Sequence, residues 1–382
     1  MDLRPTVEQQ LLRQSVREFA ETEIGPHVRA WDEAQGFPPA LLPKLAALGL
    51  MGMQVPEADG GAGLSALDYC VAIEELARVD PAIALSVAAH NGLAVAHLSM
   101  FGSAGQRAAF LKPLAAGDRL GAWALTESGS GSDAAAMQTT ARRDDGGWVI
   151  TGRKHFITHG RLADVLVVMA VTNAARGAHG ISAFVVERGA PSLSAGRKED
   201  KLGMRASDTS EVILDGCRVP ADAVIGQEGE GFIQALKVLD AGRIGIAALA
   251  VGLAQGAHEA ALAYAKERHQ FGQPIAAFQA IQWKLADTAT RVAAARLMTH
   301  HAAWLRDQPG TPASPASSMA KLYASETAVR VAEECVQIHG GYGFVKDYPA
   351  EKFFRDAKLC TIGEGTSEIQ RLVIARQLLG QG

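Results

Sequence analysis

Over roughly the first 117 residues apolar positions recur at helical spacing. Leu12, Val16, Phe19 and Ile24 mark one face, and LDYCVAIEELARV and PAIALSVAAHNGLAVAHLSM continue the pattern. No strand alternation interrupts it, so residues 1–117 read as an all-helical domain. At Gly121 the rhythm changes to short β-like runs, GAWALTE, WVITGRKHFIT, ADVLVVMAVT, ISAFVVE and SEVILDGCRVP, separated by turn clusters. Asp144, Asp145, Gly146 and Gly147 give a hairpin signal between MQTTARR and WVITG. Residues 118–228 are therefore expected to form a middle antiparallel β domain. After Gly229 and Gly231, helical segments are predicted from Phe232 to His269, Phe278 to Arg306, Ser317 to His339 and Thr366 to Leu379, with QPGTPASP the one linker-like stretch. Residues 229–382 thus read as an antiparallel four-helix bundle. Helices, then strands, then long helices make an α+β multidomain chain and exclude a doubly wound nucleotide fold, in which strands alternate with helices.

Composition narrows the partners. A chain of 382 residues exceeds one ordinary core, and 48% hydrophobic with 20% charged residues describes a globular protein. The formal charge of −4 lacks the basic excess that neutralises nucleic-acid phosphates. Cys70, Cys217, Cys335 and Cys360 lie far apart and form no CxxC pair, which argues against a zinc cluster or disulfide framework and fits a reducing, cytoplasmic setting. TVEQQLLRQSVREF is already an amphipathic helical pattern, so no export or organelle signal is expected ahead of it. ADVLVVMAV has about half the length a helix needs to cross a bilayer, and no membrane span is expected.

The candidate chemistry begins at Glu364, set between Gly363 and Gly365 in TIGEGTSEIQRLVIARQLL. Ser367 and Gln370 have capping-box spacing and predict a helix carrying Ile369, Leu372, Val373 and Leu378. A carboxylate just ahead of a helix feels the dipole, worth about 0.3–1 kcal/mol toward the anion, whereas apolar burial raises a carboxyl by up to about 3–5 units. Desolvation should win once substrate excludes water, giving a usable general base; a solvated acid in a glycine turn is the bland alternative. AWALTESGSGSD places Thr126, Gly129, Gly131 and Ser132 in a loop able to hold a polar cofactor edge. In KHFITHG, Phe156 and Thr158 fall on one side of a strand, an arrangement suited to a flat heteroaromatic ring. Asp240 and Arg243, three apart, share a helix face as an ion pair or a ligand site. Arg268, Phe271 and Gln279 bracket a turn at FGQP and could serve phosphate, adenine or a partner subunit.

Taken together, ALTESGSGSD, KHFITHG, KLGMRASDT, LDAGRIGIAALAVGLAQGA, ERHQFGQPIAAFQAIQWKLAD, QIHGGYGFVKDYPAEKFFRDAK and IGEGTSEIQRLVIAR give a chain that resembles the acyl-CoA dehydrogenase family over essentially its whole length. RKEDKLGMR and LDAGRIGIA are most similar to the short- and medium-chain branch. The resemblance implies an FAD flavoenzyme, a homotetramer built as a dimer of dimers, that oxidises an acyl-CoA to the trans-2-enoyl-CoA and passes electrons to an electron-transfer flavoprotein. It implies Glu364 as the α-proton base, with its main-chain N–H and a ribityl hydroxyl binding the enolate oxygen. It places Leu125, Thr126, Ser132, Phe156 and Thr158 beside the flavin, with Ser132 also near the acyl-CoA. Arg268, Phe271 and Gln279 would reach the FAD of a neighbouring subunit. Gln337, Gly340 and Gly341 would lie near the adenosine diphosphate portion, Thr366 and Glu368 would flank the cofactor, and Asp240 and Arg243 would hold CoA. No metal is implied. Some branched-chain members carry their base at the position of Gly242, which here cannot act. Ser128, Phe156 and Gly363 replace the usual proline, tryptophan and tyrosine; the last substitution implies room for a longer, branched or more polar acyl chain. An oxidase or monooxygenase on the same fold, a flavoprotein scaffold without catalysis, and a carrier-protein thioester in place of CoA stay open.

Overall fold

The computed structural model describes residues 4–311 and 313–380. The chain is helical up to Ala115. Val7–Phe19 and Ala66–Val79 each start with a capping box, Thr6 with Gln9 and Ser65 with Asp68. Asp80 caps the next helix, Pro81–Ala89, by accepting from the Ala82 amide at 2.9 Å, and Pro81 stands where its missing N–H costs nothing. The continuous helical run Pro81–Phe101 is long and apolar enough to cross a bilayer, more so than ADVLVVMAV. However, 78% of its apolar window is buried inside the fold, which makes it a core helix.

Eight strands follow: β1 (Gly121–Ala124), β2 (Thr140–Asp144), β3 (Gly147–Thr158), β4 (Val165–Val171), β5 (Ile181–Glu187), β6 (Leu193–Lys198), β7 (Thr209–Pro220) and β8 (Val224–Ile225). They pair in the order β6-β7-β3-β2-β4-β5-β8, with β1 alongside β4. The sheet is antiparallel except that β1, and one residue pair of β2, run parallel to β4. The Asp144 to Gly147 hairpin forms as its sequence predicts. Edge strand β6 was not foreseen, because LSAGRK lacks apolar alternation. Between β3 and β7 the register shifts between Lys154 and Ile157, a bulge that turns both His155 and Phe156 away from the buried side.

Among the described residues the C-terminal part holds five α-helices: the four expected, now Gly231–Glu267, Gln279–Arg306, Ser314–His339 and Ser367–Leu378, plus Ala350–Cys360. Ser314–His339 starts earlier than expected because Pro315 sits in its first turn, a position proline tolerates; Pro312, in the linker-like loop, lies outside the described residues. Gly231–Glu267 has 37 residues, so it extends about 55 Å. It packs on Ser314–His339, Ala66–Val79 and Gln279–Arg306. One hydrophobic core joins the N- and C-terminal helices and a second encloses the sheet.

The unforeseen helix Ala350–Cys360 escapes an apolar-period reading because two of its buried positions are charged. Lys352 Nζ lies 2.9 Å from Asp80 Oδ1 and 2.6 Å from Asp356 Oδ2, and Asp356 Oδ1 accepts from the Met204 amide at 2.5 Å. Burial pushes the Asp356 carboxyl up. Burial also works against the Lys352 ammonium, yet the two carboxylates outweigh it and raise its value. This triad ties an N-terminal helix cap, the β6–β7 loop and a C-terminal helix at one point.

Candidate active site

Glu364 sits in the loop between Ala350–Cys360 and Ser367–Leu378. Its own backbone is left-handed, φ 52°, at a cost of about 1–2 kcal/mol for a side-chain-bearing residue; Gly365 follows at φ 94°. Gly363 does not share this conformation, so the special backbone need is at 364 and 365. Two side chains hold the strained turn. Lys321 Nζ donates to the Gly365 carbonyl at 2.6 Å, and Gln370 Nε2 donates to the same carbonyl at 3.1 Å and to that of Glu364 at 3.4 Å. The helix cap is Thr366, accepting from the Ile369 amide at 3.3 Å, one residue before the Ser367 that the spacing suggested. Ser367 and Gln370 form the buried side, whereas Leu372 and Leu378 are exposed, opposite to the apolar-face expectation.

The Glu364 carboxylate lies against Gly242. A Cβ at Gly242 would stand 2.1 Å from Oε2, and Oε2 is buried without a hydrogen-bond partner. Burial pushes the carboxyl up to about 7, against the opposing charges of Lys321 and Arg243. Desolvation therefore prevails in the chain alone, before any substrate adds to it. Arg243 is buried, ion-paired with Asp240 and 3.2 Å from Ser318 Oγ; Ser314 Oγ adds a 3.1 Å bond to Asp240. Lys321, which burial lowers to about 8, was missed by sequence reasoning. Its only signal is a lone lysine on an otherwise buried helical face, 43 positions before the base.

A second group forms on the sheet. Leu125 is buried and Thr126 half-buried; the Thr126 carbonyl accepts from the His155 amide at 2.8 Å. Beneath them Lys154, also missed, donates to the Leu125 carbonyl at 3.0 Å and to Glu127 Oε1 at 2.8 Å. Burial raises the Glu127 carboxyl, but Lys154 and the bonds from Thr139 and Gln138 outweigh it and hold the value below the ordinary range. That anchor fixes the turn containing Gly129 and Gly131, where an added Cβ would meet nothing within 4 Å; Ser132 is exposed at its end. Above it Phe156, on the bulge at φ 57°, is 63% exposed, and half-buried Thr158 opens to the same side. An aromatic ring held out by a strained backbone beside an open glycine turn fits a flat ring system with polar edges.

A third group is distant. Arg268, past the end of Gly231–Glu267, is 26 residues from Gly242, about 39 Å along the helix axis. Its guanidinium stacks over Tyr342 at 5.5 Å. Phe271, at φ 52° and 93% exposed, meets Phe278 edge-on at 5.9 Å; Gln279, Gln337, Gly340 and Gly341 are exposed as well. Thr366 and exposed Glu368 remain with the Glu364 loop.

Comparison with known proteins places the three domains. The chain matches the acyl-CoA dehydrogenase N-terminal domain over residues 6–118, the middle domain over 122–217 and the C-terminal domain over 229–379. It is 47% identical over 375 residues to an acyl-CoA dehydrogenase of Bacillus subtilis (strain 168), covering 98% of this chain and 99% of that one. It superposes on the butyryl-CoA dehydrogenase of Megasphaera elsdenii with a TM-score of 0.97 at 40% identity, covering 99% and 100% of the two chains. A structure described as an electron transferring flavoprotein of Acidaminococcus fermentans matches at TM-score 0.98 and 44% identity, with coverage of 99% and 100%.

Proposed function

Because the chain belongs to the acyl-CoA dehydrogenase family, we propose that Glu364 is the base that removes the α-proton of a short acyl-CoA thioester. The observation that carries this reading is the buried, unpartnered Oε2 of a carboxyl held near neutrality in a pinned loop. A weakly acidic α-carbon needs a positioned base and stabilisation of the enolate oxygen that develops. The Glu364 main-chain N–H is proposed to donate to that oxygen, and Arg243 with Asp240 to hold the CoA portion. Similarity to a butyryl-CoA dehydrogenase supports the short-chain assignment.

FAD is the family's cofactor, and the exposed Phe156 ring and open Gly129 to Ser132 turn fit it. When bound, it supplies the two-electron acceptor that takes hydride from the β-carbon, so that proton and hydride leave together a trans-2-enoyl thioester. Leu125, Thr126, Ser132, Phe156 and Thr158 would hold its ring end, with Thr366 and Glu368 beside it. Arg268, Phe271 and Gln279 would serve the cofactor of a neighbouring copy, a role supported by the roughly 39 Å that separates Arg268 from Gly242 along the helix axis, and Gln337, Gly340 and Gly341 would lie near the adenosine diphosphate portion. A homotetramer, with electrons leaving to an electron-transfer flavoprotein, completes the reading; the similarity to a structure of that description supports the acceptor. Four free, buried cysteines support a cytoplasmic setting.

Purified protein should be yellow, and anaerobic addition of straight-chain acyl-CoAs should bleach it. Since Glu364 acts ionised and burial pushes its carboxyl up to about 7 in the chain alone, the bleaching rate at subsaturating acyl-CoA is expected to rise as pH increases through about 7 and to level above it. A rate flat from pH 5 to 9 would assign the proton to another group. Gly363 tests acyl preference, because the nearest atoms to a Cβ there would be those of Leu359, at 3.6–3.9 Å, in ordinary contact. Gly363→Tyr should fold and narrow the range of accepted acyl chains; an unchanged chain-length profile would separate Gly363 from the acyl pocket.

A further inference from the structure

A second buried polar atom points toward the same helix face as Glu364. Tyr69, on Ala66–Val79, is 2% exposed, and its hydroxyl is buried with no hydrogen-bond partner. The hydroxyl is seated among glycines. A Cβ added at Gly245 would meet it at 2.7 Å, and one at Gly92, in the helical turn His90–Val95, would meet it at 3.5 Å. A Cβ at Gly92 would also lie 3.8 Å from the Gly242 Cα. Gly242 and Gly245 are three apart on Gly231–Glu267, so they neighbour one another on one face with Cβ positions about 5–6 Å apart. Glu364 Oε2 is aimed at the first and Tyr69 Oη at the second. Along this glycine-lined seam stand two buried polar atoms, and neither has a partner among the described residues.

An orphaned buried hydroxyl costs about 1–3 kcal/mol, so a seam holding one beside the reacting carboxylate awaits a group that satisfies it. We infer that Tyr69 is a specificity-determining residue, donating a hydrogen bond to an oxygen carried on the acyl chain beyond the β-carbon. The substrates it favours are short γ- or δ-oxygenated acyl thioesters, a class that a wholly apolar pocket would not distinguish. The inference rests on the proposed thioester dehydrogenation, because Glu364 sets where the α-carbon lies and Tyr69 reads the chain about 5–6 Å farther on. Tyr69 stays a donor throughout the physiological range, since burial, reinforced by the Glu364 charge, raises its phenol. A plain chain of equal length leaves Oη unpaired and binds less well for that reason.

The test compares a δ-hydroxyacyl-CoA with the unsubstituted acyl-CoA of the same length. Affinities for the FAD-loaded protein are measured by calorimetry in a Glu364→Gln background, where turnover does not interfere. Tyr69→Phe should lower the hydroxyacyl to plain-acyl affinity ratio by about tenfold, the worth of one neutral hydrogen bond. Gly245→Ala, which sets a methyl against Oη, should lower the same ratio even if the Phe variant folds poorly. A ratio unmoved in both variants overturns the inference. So does an equal loss for both ligands with a displaced pH profile in the Glu364-containing enzyme, which would make Tyr69 a support of the base. The reading beneath is judged separately, by whether plain acyl-CoAs bleach the wild-type flavin.

Discussion

Glu364→Gln is expected to slow acyl-CoA-driven bleaching of the flavin by about 10²–10⁴-fold, the range a positioned base contributes. Glutamine preserves side-chain length and loses only the proton-accepting oxygen. The loop should survive, since Lys321 and Gln370 grip the carbonyls of 364 and 365 and neither bond uses the Glu364 side chain. Flavin content and acyl-CoA affinity should therefore change little while the rate falls. Anaerobic stopped-flow at saturating acyl-CoA separates these quantities, with the flavin-to-protein absorbance ratio confirming loading. Bleaching at the wild-type rate would remove Glu364 from the chemistry altogether.

The largest stability effect should come from a charged cluster that is not among the candidate ligand-binding residues. Lys352→Met is expected to cost about 3–5 kcal/mol, because it leaves Asp80 and Asp356 facing each other, both buried, with no cation between them. Their positions are not free to relax: Asp80 caps Pro81–Ala89 and Asp356 binds the Met204 amide. Denaturant titration of the loaded protein followed by circular dichroism measures the loss. A second change, Asp356→Asn, should recover part of it by removing one uncompensated charge. A shift within about 0.5 kcal/mol, the range of ordinary surface substitutions, would mean that the triad contributes nothing as a unit.

How much of this was legible in the sequence depended on whether a property is written locally. The succession of helices, sheet and helices was legible, since apolar periodicity reports burial directly. Ala350–Cys360 was not, because Lys352 and Asp356 place charge on its buried side and only their long-range pairing explains them. The bulge at Phe156 was equally hidden: it depends on pairing with β7, while the local alternation of KHFITHG reads as a regular strand. Glu364 stood out through its flanking glycines, yet those glycines gave an incomplete reason for its geometry. The left-handed backbone is at Glu364 itself, held from Ser314–His339 by a lysine that no spacing connects to it. Thr366 rather than Ser367 caps the next helix, its side chain accepting from the Ile369 amide, a choice the capping-box spacing alone did not distinguish.

The contact between Gly242 and Glu364 bears on how such a catalyst can change. A side chain beginning at 242 would start 2.1 Å from the Glu364 carboxylate oxygen. A side chain at 242 and the Glu364 carboxylate therefore reach for one location, and a form bearing both acids would have to swing the Glu364 carboxylate aside. Transfer of the base from loop to helix amounts to feeding one carboxylate into an unchanged spot from the opposite wall, with the old donor shrinking as the new one grows. The reaction centre would stay where it is in space while its address in the chain moved by more than a hundred residues.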